Sequence, residues 1–326
     1  MIDGRVDASG IGSRIFSAGI RLATRVSVLL LSMSTVASAQ RGVPRTSTPS
    51  PGTEIFLVPL TTKDGMPQAG TPVNITRRDG YDNQPAFTAD GRALFFTANH
   101  GDGHTDIYRY DIASRSTQVA RATKPESEYS ATMTRDNKGM MVIRVEADST
   151  QRLWQLSLTG GIDAPLFADI KPVGYYAQAD DSTWALFVLG SPNTLQVARV
   201  GAPNSTIITR SIGRSLHRIP GTTRVSFVQK GAQPWWVMQL DPSTGKLDSL
   251  VATRPSSEDL AWVNGNTLLT GQGSKLFAWR RGDTEWREIA DFASASLSNI
   301  TRLAVSPDGS MLAMVADAPA IKPPSP

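Results

Sequence analysis

Gln84-Pro-Ala-Phe-Thr-Ala-Asp-Gly-Arg-Ala-Leu-Phe-Phe-Thr-Ala98 decides how the rest of this chain is read. Alternating residues on both sides of Ala89-Asp90-Gly91 have the pattern of two strands joined by a tight turn. Aspartate caps such a turn, and glycine takes the positive φ that reverses the chain. A polar loop over Asn99 to Thr105 follows, then a third strand-like run, Asp106-Ile-Tyr-Arg-Tyr-Asp111, a Ser/Arg/Ser turn, and a fourth run over Thr117 to Ala122. The unit from Gln84 to Thr123 therefore holds four successive antiparallel strands.

The same order recurs along the chain. A second unit runs from Tyr129 through the turn Asp136-Asn-Lys-Gly139 to Ala168, and a third from Val173 through Asp180-Asp181 to Ser211. The fourth spans Leu216 to Val251 and the fifth Leu260 to Ala290. No helical apolar spacing longer than two turns interrupts them. A tandem array of four-stranded units is the pattern of an all-β propeller, whose first strands line a central channel and whose fourth strands face solvent.

A sixth unit begins at Leu303-Ala-Val-Ser-Pro-Asp-Gly309 and Met311 to Ala316, and stops after two strands. Its missing half is predicted at the other end of the chain, with Glu54 to Leu60 as third strand and Pro72 to Arg77 as fourth. The spacing agrees: Asp90 to Asp308 is 218 residues in five steps, and Ile55 to Asp317 is 263 residues, six such units. The expected fold is a six-bladed β-propeller of four-stranded antiparallel blades over 54–317, closed by N- and C-terminal strands sharing one blade. Closure of this kind removes the unpaired sheets that an open ring would expose.

Asp82-Asn-Gln-Pro-Ala-Phe-Thr-Ala-Asp-Gly-Arg-Ala-Leu-Phe-Phe-Thr97 with Thr105 to Asp111, and again Leu303-Ala-Val-Ser-Pro-Asp-Gly-Ser-Met-Leu-Ala313, resemble the repeat of TolB-type propellers. The middle three units keep the rhythm and lose the Pro-Asp-Gly turn. TolB carries an α/β domain before its propeller, whereas here a Pro/Ser leader precedes the first strand. The resemblance thus implies a stand-alone exported TolB-like propeller, and it carries no defined chemistry.

Residues 1–39 read as a signal peptide. Arg5, Arg14, Arg21 and Arg25 precede the apolar run Val26 to Val36, and Ala37-Ser38-Ala39 supplies a small-residue cleavage pattern. The apolar run is too short to span a bilayer, so no membrane span is expected after cleavage. Residues 40–53 read as a flexible leader and 318–326 as a proline-rich tail. Taking the segment's four arginines and two aspartates from 33 basic and 29 acidic residues leaves 29 and 27, a balance that does not suit nucleic acid. The chain has no cysteine, which excludes disulfides and thiolate metal sites.

Loops from six blades converge where the innermost strands begin. Asp82, Asn83, Glu128, Tyr129, Tyr175, His217, Glu258 and Asp259 are therefore the candidate ligand-binding residues. Tyr176 and Asn299 occupy comparable places, and Ser215 and Arg218 flank His217. The acidic members would suit Ca²⁺, as in propeller hydrolases that hold it in the channel. His100 and His104, with Asp106 nearby, read as a polar loop or a metal site. No cofactor is required by the sequence. No Gly-x-Ser-x-Gly elbow occurs, and no nucleophile, base and orienter stand together, so no catalytic residue is assigned. The tryptophans are expected to pack between blades, with Trp235 and Trp236 on opposite faces of a strand. The expectation is a monomeric recognition module, periplasmic or secreted, for an envelope or extracellular protein, peptide or glycan; the alternative is a Ca²⁺-dependent hydrolase working in the channel.

Overall fold

The computed structural model describes residues 52–99 and 103–317. The signal segment 1–39, the leader up to residue 51, the tail 318–326 and His100 lie outside the described residues. In chain order, β1 (Thr53–Lys63), β2 (Met66–Ala69) and β3 (Val73–Asn74) come first. Blade one is β4 (Asp82–Phe87), β5 (Ala93–Asn99), β6 (Thr105–Asp111) and β7 (Ser116–Arg121). Blade two is β8 (Ser127–Met133), β9 (Gly139–Val145), β10 (Gln151–Ser157) and β11 (Ala164–Pro165). Blade three is β12 (Val173–Gln178), β13 (Thr183–Val188), β14 (Thr194–Arg199) and β15 (Thr206–Arg210). Blade four is β16 (His217–Arg218), β17 (Val225–Gln229), β18 (Trp236–Asp241) and β19 (Lys246–Ala252). Blade five is β20 (Leu260–Asn264), β21 (Thr267–Gln272), β22 (Lys275–Arg280) and β23 (Arg287–Asp291). β24 (Thr301–Val305) and β25 (Met311–Asp317) end the series. Every sheet is antiparallel, and the described residues contain no α-helix.

The sixth blade is the composite expected from the sequence. β1 pairs with β25 from Thr53 against Asp317 to Pro59 against Met311, and β24 lies on the inner side of β25. The outer strand differs from the expected single run over Pro72 to Arg77. It is split into β2, which pairs Leu60 to Lys63, and β3, which pairs Phe56 and Leu57. The reason is length: β1 outreaches one outer strand, and its far end folds back through the left-handed residues Asp64 and Gly65 as a hairpin. Glu54 pins the remainder by accepting hydrogen bonds from the Thr76 hydroxyl and the Arg78 amide.

Period-two alternation explains how the blades form a ring. On β1, Phe56, Val58 and Leu60 pack against blade five, while Ile55 and Leu57 pack against blade one. On β5, Phe96 faces blade six and Phe95 faces blade two. Three further clusters fill the remaining interfaces, between blades two and three, three and four, and four and five. Each sheet is thus apolar on both faces, and the core consists of six wedges between blades.

The turn from first to second strand keeps one physical device in all six blades. Asp90, Asp136 and Asp308 each accept a 2.6 Å hydrogen bond from the Thr or Ser two residues earlier and a 3.0 Å bond from the amide two residues later. Where the motif is lost, Asp180, Thr222 and Asn264 accept the corresponding amides. The chemistry outlasts the letters, because any short oxygen acceptor satisfies the turn.

Candidate functional site

The first strands enclose a central channel with a cavity of about 340 Å³, lined from all six blades. Three neighbouring blades build its wall in the same way. Gln84, Ser130 and Arg302 each take φ near +50° (55°, 54° and 49°) at a bulge where two residues of the inner strand oppose one of its neighbour. The bulge brings each of these side chains to the channel. A left-handed, non-glycine residue costs of order 1–3 kcal/mol and persists only where its surroundings fix it. Those fixings are visible: Gln84 Oε1 accepts from the Thr97 hydroxyl at 3.0 Å and from the Ser130 amide at 3.0 Å. Tyr176 then donates to the Ser130 carbonyl at 2.6 Å or the Met141 carbonyl at 2.7 Å, joining blade three to blade two.

Arginines and tyrosines gather where the innermost strands begin. Arg302 of blade six donates from Nη2 to the Tyr175 hydroxyl at 2.8 Å, and its guanidinium lies 4.9 Å from that ring's centre. Blades three and six are separated by two blades on either side, so this contact spans the channel. Arg214, in the segment leading into β16, forks onto Asp259, with Nη2 to Oδ2 at 2.8 Å and Nε to Oδ1 at 3.3 Å. Burial opposes ionisation of Asp259, yet the Arg214 hydrogen bond and the charges of Arg302 and Arg214 hold its carboxyl below the usual carboxylate range. Burial pushes the Tyr81 hydroxyl up to about 12, while Arg302 pulls the other way. His217 shares a 2.9 Å hydrogen bond between Nε2 and Ser215 Oγ, and burial lowers it to about 4, so its ring is neutral at pH 7.

Of the eight sequence candidates, the structure brings Tyr175, His217 and Asp259 to the channel wall. The other five lie outside that wall. Asp82 is fully buried and forked by Arg78, with burial raising its carboxyl to about 6 against the opposing Arg78. Asn83 is buried and accepts from the Gln84 amide at 2.9 Å. Glu128 is fully buried, accepts from Arg144 Nε at 3.0 Å and from the Thr123 hydroxyl, and has a raised pKa from burial that these partners oppose. Tyr129 packs against the wedge between blades two and three. Glu258 is held by Lys230 at 3.3 Å and by the Arg214 amide at 3.1 Å. These carboxylates are each engaged by an arginine or lysine and do not converge on the channel, so they do not fit a channel Ca²⁺ site. Among the described residues, no group of three or more His, Asp or Glu is arranged to hold a metal.

Arg214, Arg302, Gln84 and Ser130 were not legible as site residues. A period-two reading assumes an unbroken register, and each bulge shifts the channel-facing position. Ser215 and Arg218 stand beside His217 as the sequence order implies, and both line the channel.

No protein-family model and no curated protein sequence matches the chain. Solved structures do. A TolB of Agrobacterium tumefaciens superposes with a TM-score of 0.64 at 11% identity, covering 83% of this chain and 100% of that one. In fold, this chain is a TolB-like six-bladed propeller. An oligogalacturonate lyase of Vibrio parahaemolyticus superposes on the TolB-like propeller with a TM-score of 0.55 at 15% identity, over 76% of this chain and 81% of the lyase. A chain of a nidogen/laminin complex gives 0.56 at 10% identity, over 81% of this chain and 98% of that one. At such identities the likeness is one of architecture. No helix among the described residues of the TolB-like propeller is long and apolar enough to cross a membrane.

Proposed function

We propose that this TolB-like propeller is an exported recognition module that receives a peptide segment of an envelope or extracellular protein in its channel. One observation carries the reading: the 340 Å³ cavity is walled by all six blades and preset by bulges at Gln84 and Ser130, whose strained residues are fixed by neighbouring blades. A wall held in this way does not need to order itself on binding, which lowers the entropic cost of recognition. Its chemistry is that of arginine, tyrosine and short hydroxyl side chains, suited to binding. The nidogen/laminin chain, a propeller-like neighbour found in a protein complex, supports the same use of the fold. Export rests on residues 1–39, and cleavage after Ala39 would release the module into the periplasm or beyond it.

Two experiments test this. N-terminal mass determination on protein recovered from envelope and medium should find a start near Gln40; a retained 1–39 segment sinks the export claim. A displayed random-peptide library should yield binders to the wild type that are lost by Thr132→Trp, which fills the channel from an exposed wall position. Binders that ignore Thr132→Trp would place recognition on another surface.

A further inference from the structure

Arg302 is a cation in an unusual position. Its side chain is 15% exposed, yet among the described residues its guanidinium makes a single hydrogen bond, to the Tyr175 hydroxyl. The nearest carboxylate, Asp259, makes only a long ion pair with it, 3.9 Å from Nε, and is already forked by Arg214 and bonded by the Arg302 backbone amide. Three arginines, Arg214, Arg218 and Arg302, line the cavity against one carboxylate, Asp259. Arg218 is exposed and has no ion-pair partner among the described residues; burial of its stem and the charge of Arg135 both lower its pKa. A largely desolvated guanidinium that shares its one nearby carboxylate with a second arginine has N–H groups left for another acceptor, and its planar fork matches a carboxylate.

We infer that the channel takes a peptide by its carboxylate, with Arg302 leaving the Tyr175 hydroxyl to fork onto the incoming group. This rests on the recognition reading above and adds the chemistry of the partner. Tyr175 serves as a placeholder acceptor: it holds Arg302 across the channel until a charged acceptor replaces it. The rest of the wall favours a peptide over an acidic sugar. Pro85, Phe87, Pro220 and Pro307 line the same cavity, towards the far ends of the inner strands from Arg302, and suit the apolar side chains of a peptide that follows the carboxylate into the channel better than a row of hydroxyls.

The test uses short synthetic peptides in two forms, C-terminal acid and C-terminal amide, each made with and without Glu and Asp. Binding is read by fluorescence anisotropy at fixed ionic strength. Carboxylate-bearing peptides should bind the wild type at least about tenfold tighter than their neutral counterparts. Arg302→Gln should erase that preference, Arg302→Lys should keep only part of it, and Tyr175→Phe should retain or strengthen it. Thermal melting confirms that each variant is folded, and the Arg302 Nε–H resonance of the wild type should shift on peptide addition. Comparison of acid and amide forms assigns the preference to the chain end or to an acidic side chain, either of which supports the inference. Equal binding of charged and neutral peptides, or a preference that survives Arg302→Gln, overturns the inference and leaves peptide recognition standing. Tighter binding of oligogalacturonate than of any peptide overturns the choice of a peptide. No binding by peptides of either form sinks the recognition reading as well.

Discussion

Arg302 and Tyr175, 127 residues apart in sequence and on opposite blades of the ring, meet in a 2.8 Å hydrogen bond across the channel. The contact holds together two elements with different roles. Tyr175 is also packed edge-on against Phe187 at 5.6 Å, so its ring is anchored in blade three. Arg302 sits on a bulge at φ 49° and reaches inward from blade six. Removing the hydroxyl alone should therefore be moderate: Tyr175→Phe is expected to lower stability by about 2 kcal/mol in urea denaturation, since one hydrogen bond from a charged guanidinium is lost and the stack remains. A loss of several kcal/mol would make this contact a structural strut.

Glu128 behaves in the opposite way. It is fully buried, and Arg144, whose side chain is 9% exposed, depends on it for charge balance. Glu128→Ala should cost about 3–5 kcal/mol because it strands a buried guanidinium. Glu128→Ala within about 1 kcal/mol of wild type in the same denaturation series would show that the pair is solvated.

Closure through β1 should be indispensable. Ile55, Phe56, Leu57, Val58 and Leu60 are all buried, in wedges on both sides of blade six. At about 1.5–3 kcal/mol each, their loss is comparable with the whole stability of a domain. Deleting Glu54 to Leu60 should abolish the cooperative melt measured by calorimetry. A truncated chain that melts at the parent's temperature would contradict the composite blade.

His217 gives the fold a dependence on pH. Its folded value near 4 lies below the ordinary 6.5, so between these two pH values the unfolded chain binds a proton that the folded chain does not. Stability from this group is therefore full above pH 6.5 and falls as pH drops towards 4, by about 3 kcal/mol in all. Asp82, raised to about 6 in the fold, has the opposite sign over roughly the same window. His217→Gln should thus lose less stability than the wild type between pH 7 and pH 4.5. Parallel melting curves for the two proteins across that range would show the ring to be solvated in the fold.

The fold was largely legible because blades are local. Each strand, turn and hairpin forms among residues near in sequence, so the alternation of Leu94-Phe95-Phe96 and the Asp90-Gly91 turn were sufficient to predict blade one. Even the closure was readable, because half a blade at one end required its complement at the other. The split of the outer strand into β2 and β3 was not readable, since it depends on β1 running on past Leu60. The site was legible only in part. Tyr175, His217 and Asp259 could be placed by their position at the start of inner strands, but Asp82 and Glu128 at equivalent positions turn into the wedges to meet Arg78 and Arg144. Nothing in a single sequence announces the bulges at Gln84, Ser130 and Arg302, which decide which side chains the channel receives.

The central claim is that a partner segment enters the channel. A photoreactive phenylalanine analogue placed at position 175, on the channel wall, and separately at Trp236, which is 41% exposed on the far side of blade four's Trp235, tests it most directly. Each variant is irradiated in cells producing the protein, and adducts are identified by mass spectrometry. The account predicts a discrete peptide adduct from position 175, lost when Thr132→Trp fills the channel, and none of comparable yield from position 236. An adduct from position 236 alone would contradict it and place the working surface on the outer face.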